Sequence, residues 1–259
     1  MPRGKRKKSR NGIYHVILRG ANKQEIFHSD EDRHRFLNTL LKYKIRTEMQ
    51  VYAWCLMDNH LHLLLKEGDE SISLVMKRIG ISYAQYYNWM YRTTGHLFQD
   101  RFRSEKVEDL RYALAVTRYI HQNPVKAGMV QSPDEWEWSS CRGYYGRSVS
   151  PSGLLNEGFV LEMFSESKPS PREAFREFNE RSNDDQFLKP FEKEKKRLSD
   201  KEARVEILQI LGAVAIPQVK SLPREERNYL LRKVKKIDGV SQRQAARILG
   251  VSPNLLFKA

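Results

Sequence analysis

Apolar positions along the chain alternate between short dense runs and longer stretches at helical spacing. "IYHVILR" (Ile13 to Arg19) reads as a strand and "RGANKQ" as the loop after it. Phe36, Leu37, Leu40 and Leu41 then share one side of a helix that Ser29, Asp30 or Asp32 can cap and that runs to about Arg46. "QVYAWCLM" and "HLHLLL" form two further strands, separated by Asp58 and Asn59, a pair that tolerates the positive φ of a tight hairpin. Ile72, Val75, Met76, Ile79, Tyr83, Tyr86, Tyr87 and Met90 again follow helical spacing. "HLFQDRFRSEKV" supplies a fourth strand, and "DLRYALAVTRYIHQN" a third helix that Pro124 stops. The order β-α-β-β-α-β-α predicts an α+β protein whose antiparallel sheet carries its helices on one face, the ferredoxin-like plan.

Beyond this unit, "DEWEWSSCRGYYG" closes the domain and "RSVSPSGLL" is a linker by its Ser, Pro and Gly content. "LLNEGFVLEMF" and "SPREAFREF" are helical, the latter with a capping-box start at Ser170, Pro171 and Glu173, whereas "KPFEKEKKRLSDKEA" is charge-rich and solvated. The last stretch, "SQRQAARILGVSPNLLFK", has helix-turn-helix grammar. Ser241 caps a helix, Ala245 is small where a second helix crosses, Gly250 suits a left-handed turn, and Val251 with Leu255 fills the core between helices. Arg243 and Asn254 are its candidate DNA contacts. The predicted boundaries are a basic disordered tail at 1–12, the sheet domain at 13–147, linker and helical segments at 148–198, and a small all-α C-terminal region with the helix-turn-helix at 199–259.

Charge changes the picture. Lys and Arg total 46 against 32 acidic residues, a net charge of +14 and a pI near 9.7, which makes a polyanion the first suspect partner. Arg3, Lys5, Arg6, Lys7, Lys8 and Arg10 crowd the first ten residues, as a solubilising tail or as phosphate contacts; without them the remainder is still basic. Two distant cysteines, Cys55 and Cys141, argue against a disulfide framework or a zinc finger. No apolar run suits a signal peptide or a membrane span of ~20 residues. The expectation is a cytoplasmic, nucleoid-associated protein with no membrane partner.

One short motif carries chemistry. In a strand, residues two apart point the same way, so His60 and His62 project together and can grip one divalent ion; an isolated pair of this kind is also common as plain structure. On the third helix Leu110, Ala113, Leu114 and Thr117 share a face, and Tyr119 lies nine residues and about 180° away from Leu110, outside that core stripe. Asn123 follows one turn later on nearly the same side, pairing an amide with the phenol, although taken by itself the pair reads more simply as a surface tyrosine with Asn123 merely ending the helix. Taken together, two histidines and an amide oxygen leave open positions on an ion for the oxygens of a scissile phosphate. A tyrosine, whose phenol has an ordinary pKa near ~10, then has a cation beside it to make the phenolate accessible.

"DNHLHLLL", "GHLFQDRFRSEKV" and "RYIHQNPVKAGMV" occur in that order, and over Gly12 to Gly146 the chain resembles the single-tyrosine HUH transposases, specifically those of the REP-associated tyrosine transposase type. The resemblance implies a catalytic domain on a ferredoxin-like sheet at 13–147. It implies that His60, His62 and Asn123 bind Mg2+ or Mn2+, and that Tyr119 becomes linked to the 5′ phosphate of cut single-stranded DNA. The expected partner is single-stranded or hairpin DNA, with double-stranded DNA reached through the C-terminal region; monomer or homodimer is left open.

Arg19, Lys23, Arg101 and Arg103 offer cations for that DNA, and Phe102, Tyr112, Trp136 and Trp138 offer rings for stacking. Two rival functions stand beside the transposase: a non-cleaving DNA-binding regulator on the same fold, and a metal phosphodiesterase that uses water.

Overall fold

The computed structural model describes residues 8–166, 170–182 and 198–259 and divides into two compact units, 1–190 and 191–259. The first unit is built on four antiparallel strands, β1 (Ile13–Arg19), β2 (Gln50–Met57), β3 (His60–Lys66) and β4 (Arg103–Lys106), in the spatial order β2-β3-β1-β4. Helices α1 (Asp30–Thr47), α2 (Ile72–Met90) and α3 (Leu110–Lys126) complete the expected β-α-β-β-α-β-α order.

Strand alternation sorts the side chains into two layers. Tyr14, Val16 and Leu18 of β1, Trp54 and Leu56 of β2, and Leu61, Leu63 and Leu65 of β3 join α1 and α2 in one core. Fully burying each such leucine contributes about 1.5–3 kcal/mol. Ile13 of β1, Ala53, Cys55 and Met57 of β2 and Leu64 of β3 pack instead with Ala113, Val116, Tyr119 and Ile120 of α3. The expectation that the helices share one face is therefore corrected: α1 and α2 cover one side and α3 the other. The physical reason is that β1 and β3 are interior strands buried on both faces, so each face needs a cover.

Three local expectations change as well. Helix α3 runs two residues past Pro124, because a proline in the last turn removes only its own N–H while Ala127 N still reaches the Asn123 carbonyl at 2.9 Å. Leu110 is 57% exposed whereas Tyr119 is 5% exposed, so the buried stripe is Ala113, Val116, Thr117 and Ile120 with Tyr119 at its flank. The hairpin at Asp58–Asn59 forms without positive φ; among the described non-glycine residues that conformation occurs at Asn22, Glu48 and Arg92. Of the three residues able to cap α1, Ser29 does so, in a capping box with Asp32. Of the predicted fourth strand only Arg103–Lys106 pairs, although Phe98 makes an isolated bridge with Gly20.

The outer edge of β2 is closed by later chain: Leu56 N donates to the Trp138 carbonyl, Ser140 N to the Trp54 carbonyl and Asn156 N to the Val51 carbonyl. Three more short helices follow, α4 (Cys141–Tyr144), α5 (Gly158–Leu161) and α6 (Pro171–Glu180, capped by Ser170). Phe175 of α6 and Val160 of α5 close over Tyr144, and His121 on the back of α3 is held at both nitrogens, by Ser140 Oγ at 2.9 Å and Asn179 Oδ1 at 3.2 Å.

The second unit contains α7 (Asp200–Leu211), α8 (Arg224–Val234), α9 (Gln242–Leu249) and α10 (Pro253–Lys258) around Ile207, Leu231, Val234, Ala245, Leu249 and Leu256. Gly250, at φ 63°, ends α9 in the left-handed conformation, and Ser252 caps α10. Leu256 is the fully buried residue of α10; Val251 and Leu255, expected in the core, pack at its margin.

Candidate active site

His60 and His62 stand on β3, the strand between β2 and β1, on the face that α3 covers. His62 is opposed by Ile17 and Cys55, and His60 by Arg19 and Met57. The two imidazole rings lie 5.1 Å apart between centroids and nearly perpendicular. Tyr119 comes down from α3 onto His62, the ring centroids 5.6 Å apart. Lys126, two turns along the helix, places its Nζ 5.5 Å from the tyrosine ring.

The Asn123 amide Nδ2 donates to the Tyr119 carbonyl at 2.8 Å, in the preceding turn of its own helix. Among the described residues no group of three or more His, Cys, Asp or Glu side chains is placed to share an ion, so the nearest donor set is the histidine pair itself.

That pair nevertheless has the chemistry of a metal ligand set. Burial, aided by the Arg19 charge, lowers the His60 pKa to about 4, and burial first, then His60 and His15, takes His62 well below the ordinary value. Both are thus neutral near pH 7, the form that donates a lone pair to a metal. His62 Nε2 is a buried ring nitrogen with no hydrogen-bond partner, a rare and costly arrangement unless something fills it. His60 Nδ1 lies 2.6 Å from Asn59 Oδ1, leaving its Nε2 as the other donor.

The turn presenting His60 is clamped from below. Asp58 O accepts from Ile26 N at 2.8 Å and Phe27 N at 3.1 Å, and the Asp58 carboxylate pairs with the buried Arg33 guanidinium at 2.7 Å. Arg33 in turn sits over Phe27, Trp136 and Trp138. Trp136 and Trp138, candidate base-stacking rings from sequence, are used internally: Trp136 Nε1 bonds the Leu56 carbonyl and Trp138 is buried. Phe102 is buried as well, and Tyr112 packs against the α3 core.

The candidate DNA cations scatter. Arg19 lies beside His60, and Arg103 opposes Ile17 on the histidine face, both half-buried. Arg101 and Lys8 line a separate cleft of about 900 Å³ against α2. Arg243 and Asn254 are exposed on the second unit. Arg3, Lys5, Arg6 and Lys7, and the Lys23 side chain, lie outside what is described.

Sequence reasoning missed His15. It is wholly buried on β1, and its Nε2 lies 3.1 Å from His62 Nδ1 while its ring meets Tyr119 edge-on at 5.8 Å. The available signal was a histidine in the middle of an otherwise apolar strand, at the same parity as Arg19.

Residues 8–123 match the family of IS200-like transposases, and the segment so matched carries the histidine pair and Tyr119. The chain is similar, at 23% identity over 116 residues, to the REP-associated tyrosine transposase of Escherichia coli (strain K12), covering 44% of this chain and 67% of that protein. The resemblance to transposases of the single-tyrosine, REP-associated type is thereby supported. A solved structure described as a REP-associated tyrosine transposase bound to a REP hairpin aligns with a TM-score of 0.49 at 19% identity, over 58% of this chain and 89% of that one.

Proposed function

We propose that the protein is a metal-dependent transposase that cuts and rejoins single-stranded, hairpin-flanked DNA through Tyr119. The observation that carries this reading is a phenol from α3 against His62, which has a buried unpartnered nitrogen and His60 at its side on β3.

His60 and His62 would hold Mg2+ or Mn2+, with Asn123 as the further candidate ligand. A divalent ion bound there would draw charge from the phosphate oxygens and favour the phenolate. Tyr119 Oη attacks the phosphorus, its proton passing to solvent. The Oη–P bond forms as the P–O3′ bond breaks, leaving a free 3′ hydroxyl and a 5′-phosphotyrosine. Attack by a 3′ hydroxyl on that ester reverses the step and reseals a strand without ATP. Arg19, beside His60, and Arg103, on the same face, are positioned to neutralise backbone phosphates near the cut. In the second unit, the exposed Arg243 of α9 and Asn254 of α10 contact double-stranded DNA.

The test is incubation of the purified protein with labelled single-stranded hairpin DNA, taken from repeats flanking its gene, and Mg2+ or Mn2+, followed by a denaturing gel. Label retained on the protein, and lost in Tyr119→Phe and in His60→Ala, is the expected result. Cleaved DNA that persists in Tyr119→Phe would replace this reading with a hydrolase using water. Binding without cutting would leave a regulator.

A further inference from the structure

We propose that His15 is a positioning residue for the metal site, an acceptor that fixes the ring-nitrogen tautomer of His62 so that Nε2 carries the lone pair. This rests on the reading of His62 as a metal ligand.

Two buried imidazoles joined by one hydrogen bond admit two arrangements. The contact joins His15 Nε2 and His62 Nδ1 at 3.1 Å, with the rings stacked at 22°. If His62 Nδ1–H donates to His15 Nε2, then His62 Nε2 is a bare lone pair. If His15 donates instead, His62 Nε2 bears a hydrogen and cannot ligate. The two outward nitrogens, His15 Nδ1 and His62 Nε2, are both buried without a hydrogen-bond partner, so protein contacts alone do not choose between the arrangements. A cation at His62 Nε2 does choose. It is compatible only with the first, in which His15 is the acceptor that orients the ligand ring and raises its basicity.

Two comparisons within the fold support the assignment. His121, as deeply buried, has both ring nitrogens bonded, to Ser140 and Asn179, as a purely structural histidine should. His60 shows the same device with a different partner: its Nδ1 faces Asn59 Oδ1 at 2.6 Å, which also leaves Nε2 as the donor atom. Each candidate ligand therefore has an acceptor behind it, one from the hairpin turn and one from the neighbouring strand.

The test compares His15→Phe, which keeps a ring of similar shape but has no acceptor, with His15→Gln, whose amide oxygen can reach roughly the former Nε2 position. Mn2+ affinity is measured by calorimetry on the full chain without DNA, beside wild type and His62→Ala. The expected result is a Kd about 10–100-fold weaker in His15→Phe and largely restored in His15→Gln. Long-range proton–nitrogen NMR of the Mg2+-loaded wild type should show His62 protonated at Nδ1 and bare at Nε2; hydrogen found on Nε2 overturns the proposal even if a variant fails to fold. Folded His15→Phe that binds Mn2+ like wild type, while His62→Ala does not, overturns the His15 assignment alone. Absence of Mn2+ binding by wild type, or binding unchanged in His62→Ala, removes the metal-site reading and His15 with it.

Discussion

The two faces of one sheet are made differently from the same strands. Toward α1 and α2, strands β1 and β3 present Tyr14, Val16, Leu18, Leu61, Leu63 and Leu65, an apolar layer. Toward α3 they present His15, Arg19, His60 and His62 among Ile13, Ile17 and Leu64. Strand parity has put an apolar layer on one side and the histidines on the other, and a register slip of one residue would exchange them. The polar residues of the histidine face are tolerated because the other face, with α1 and α2, holds the larger core.

The largest effect that sharpens this contrast belongs to Tyr119→Phe. Covalent DNA adduct should fall on the order of 10³-fold or more, while Mn2+ affinity holds and stability changes by no more than about 1.5 kcal/mol. A gel assay and chemical unfolding read the two sides. Leu63→Ala, on the apolar face, should do the reverse: a loss of about 2–5 kcal/mol in urea unfolding, with Mn2+ affinity of the folded fraction unchanged. A loss of metal binding there would break the division between faces.

Acid should act through the α3 side. Burial lowers His15 and His121 to about 3, so below the unfolded value near 6.5 the unfolded chain takes up protons that the folded chain refuses. Stability is complete above that value and falls as pH drops from about 6.5 toward 3, by about 1.4 kcal/mol per pH unit for each histidine. Urea midpoints at pH 7, 6 and 5 should show a shallower decline in His121→Gln. The smallest effect lies outside both faces. Arg243→Ala should weaken double-stranded DNA binding several-fold and reduce its salt slope by about 1, with adduct formation on single strands unaltered.

The histidine pair was legible because a period of two needs no further information: any strand through Leu61 and Leu63 brings His60 and His62 to one face. Tyr119 was singled out from the sequence but misplaced on its helix. The helical phase was anchored on Leu110, which lies at the first helical position and is exposed, whereas the stripe through Ala113, Val116 and Ile120 puts Tyr119 against the sheet. His15 was silent because β1 is buried on both sides, and "IYHVILR" shows no alternation from which a face could be read. The side taken by α3 was equally hidden, since element order does not specify it. The clamp of Arg33 on Asp58 joins residues 25 apart on different elements and leaves no local pattern.

The segment that bonds along β2 has a consequence for assembly. An uncovered strand is a template on which another chain can pair, but the β2 main chain already spends its outward groups on Trp138, Ser140 and Asn156. Further strands can add only beyond β4, where four residues carrying Arg103, Glu105 and Lys106 make a short and charged template. The sheet is closed to growth on one flank and guarded on the other, so this unit is protected against aggregating strand by strand.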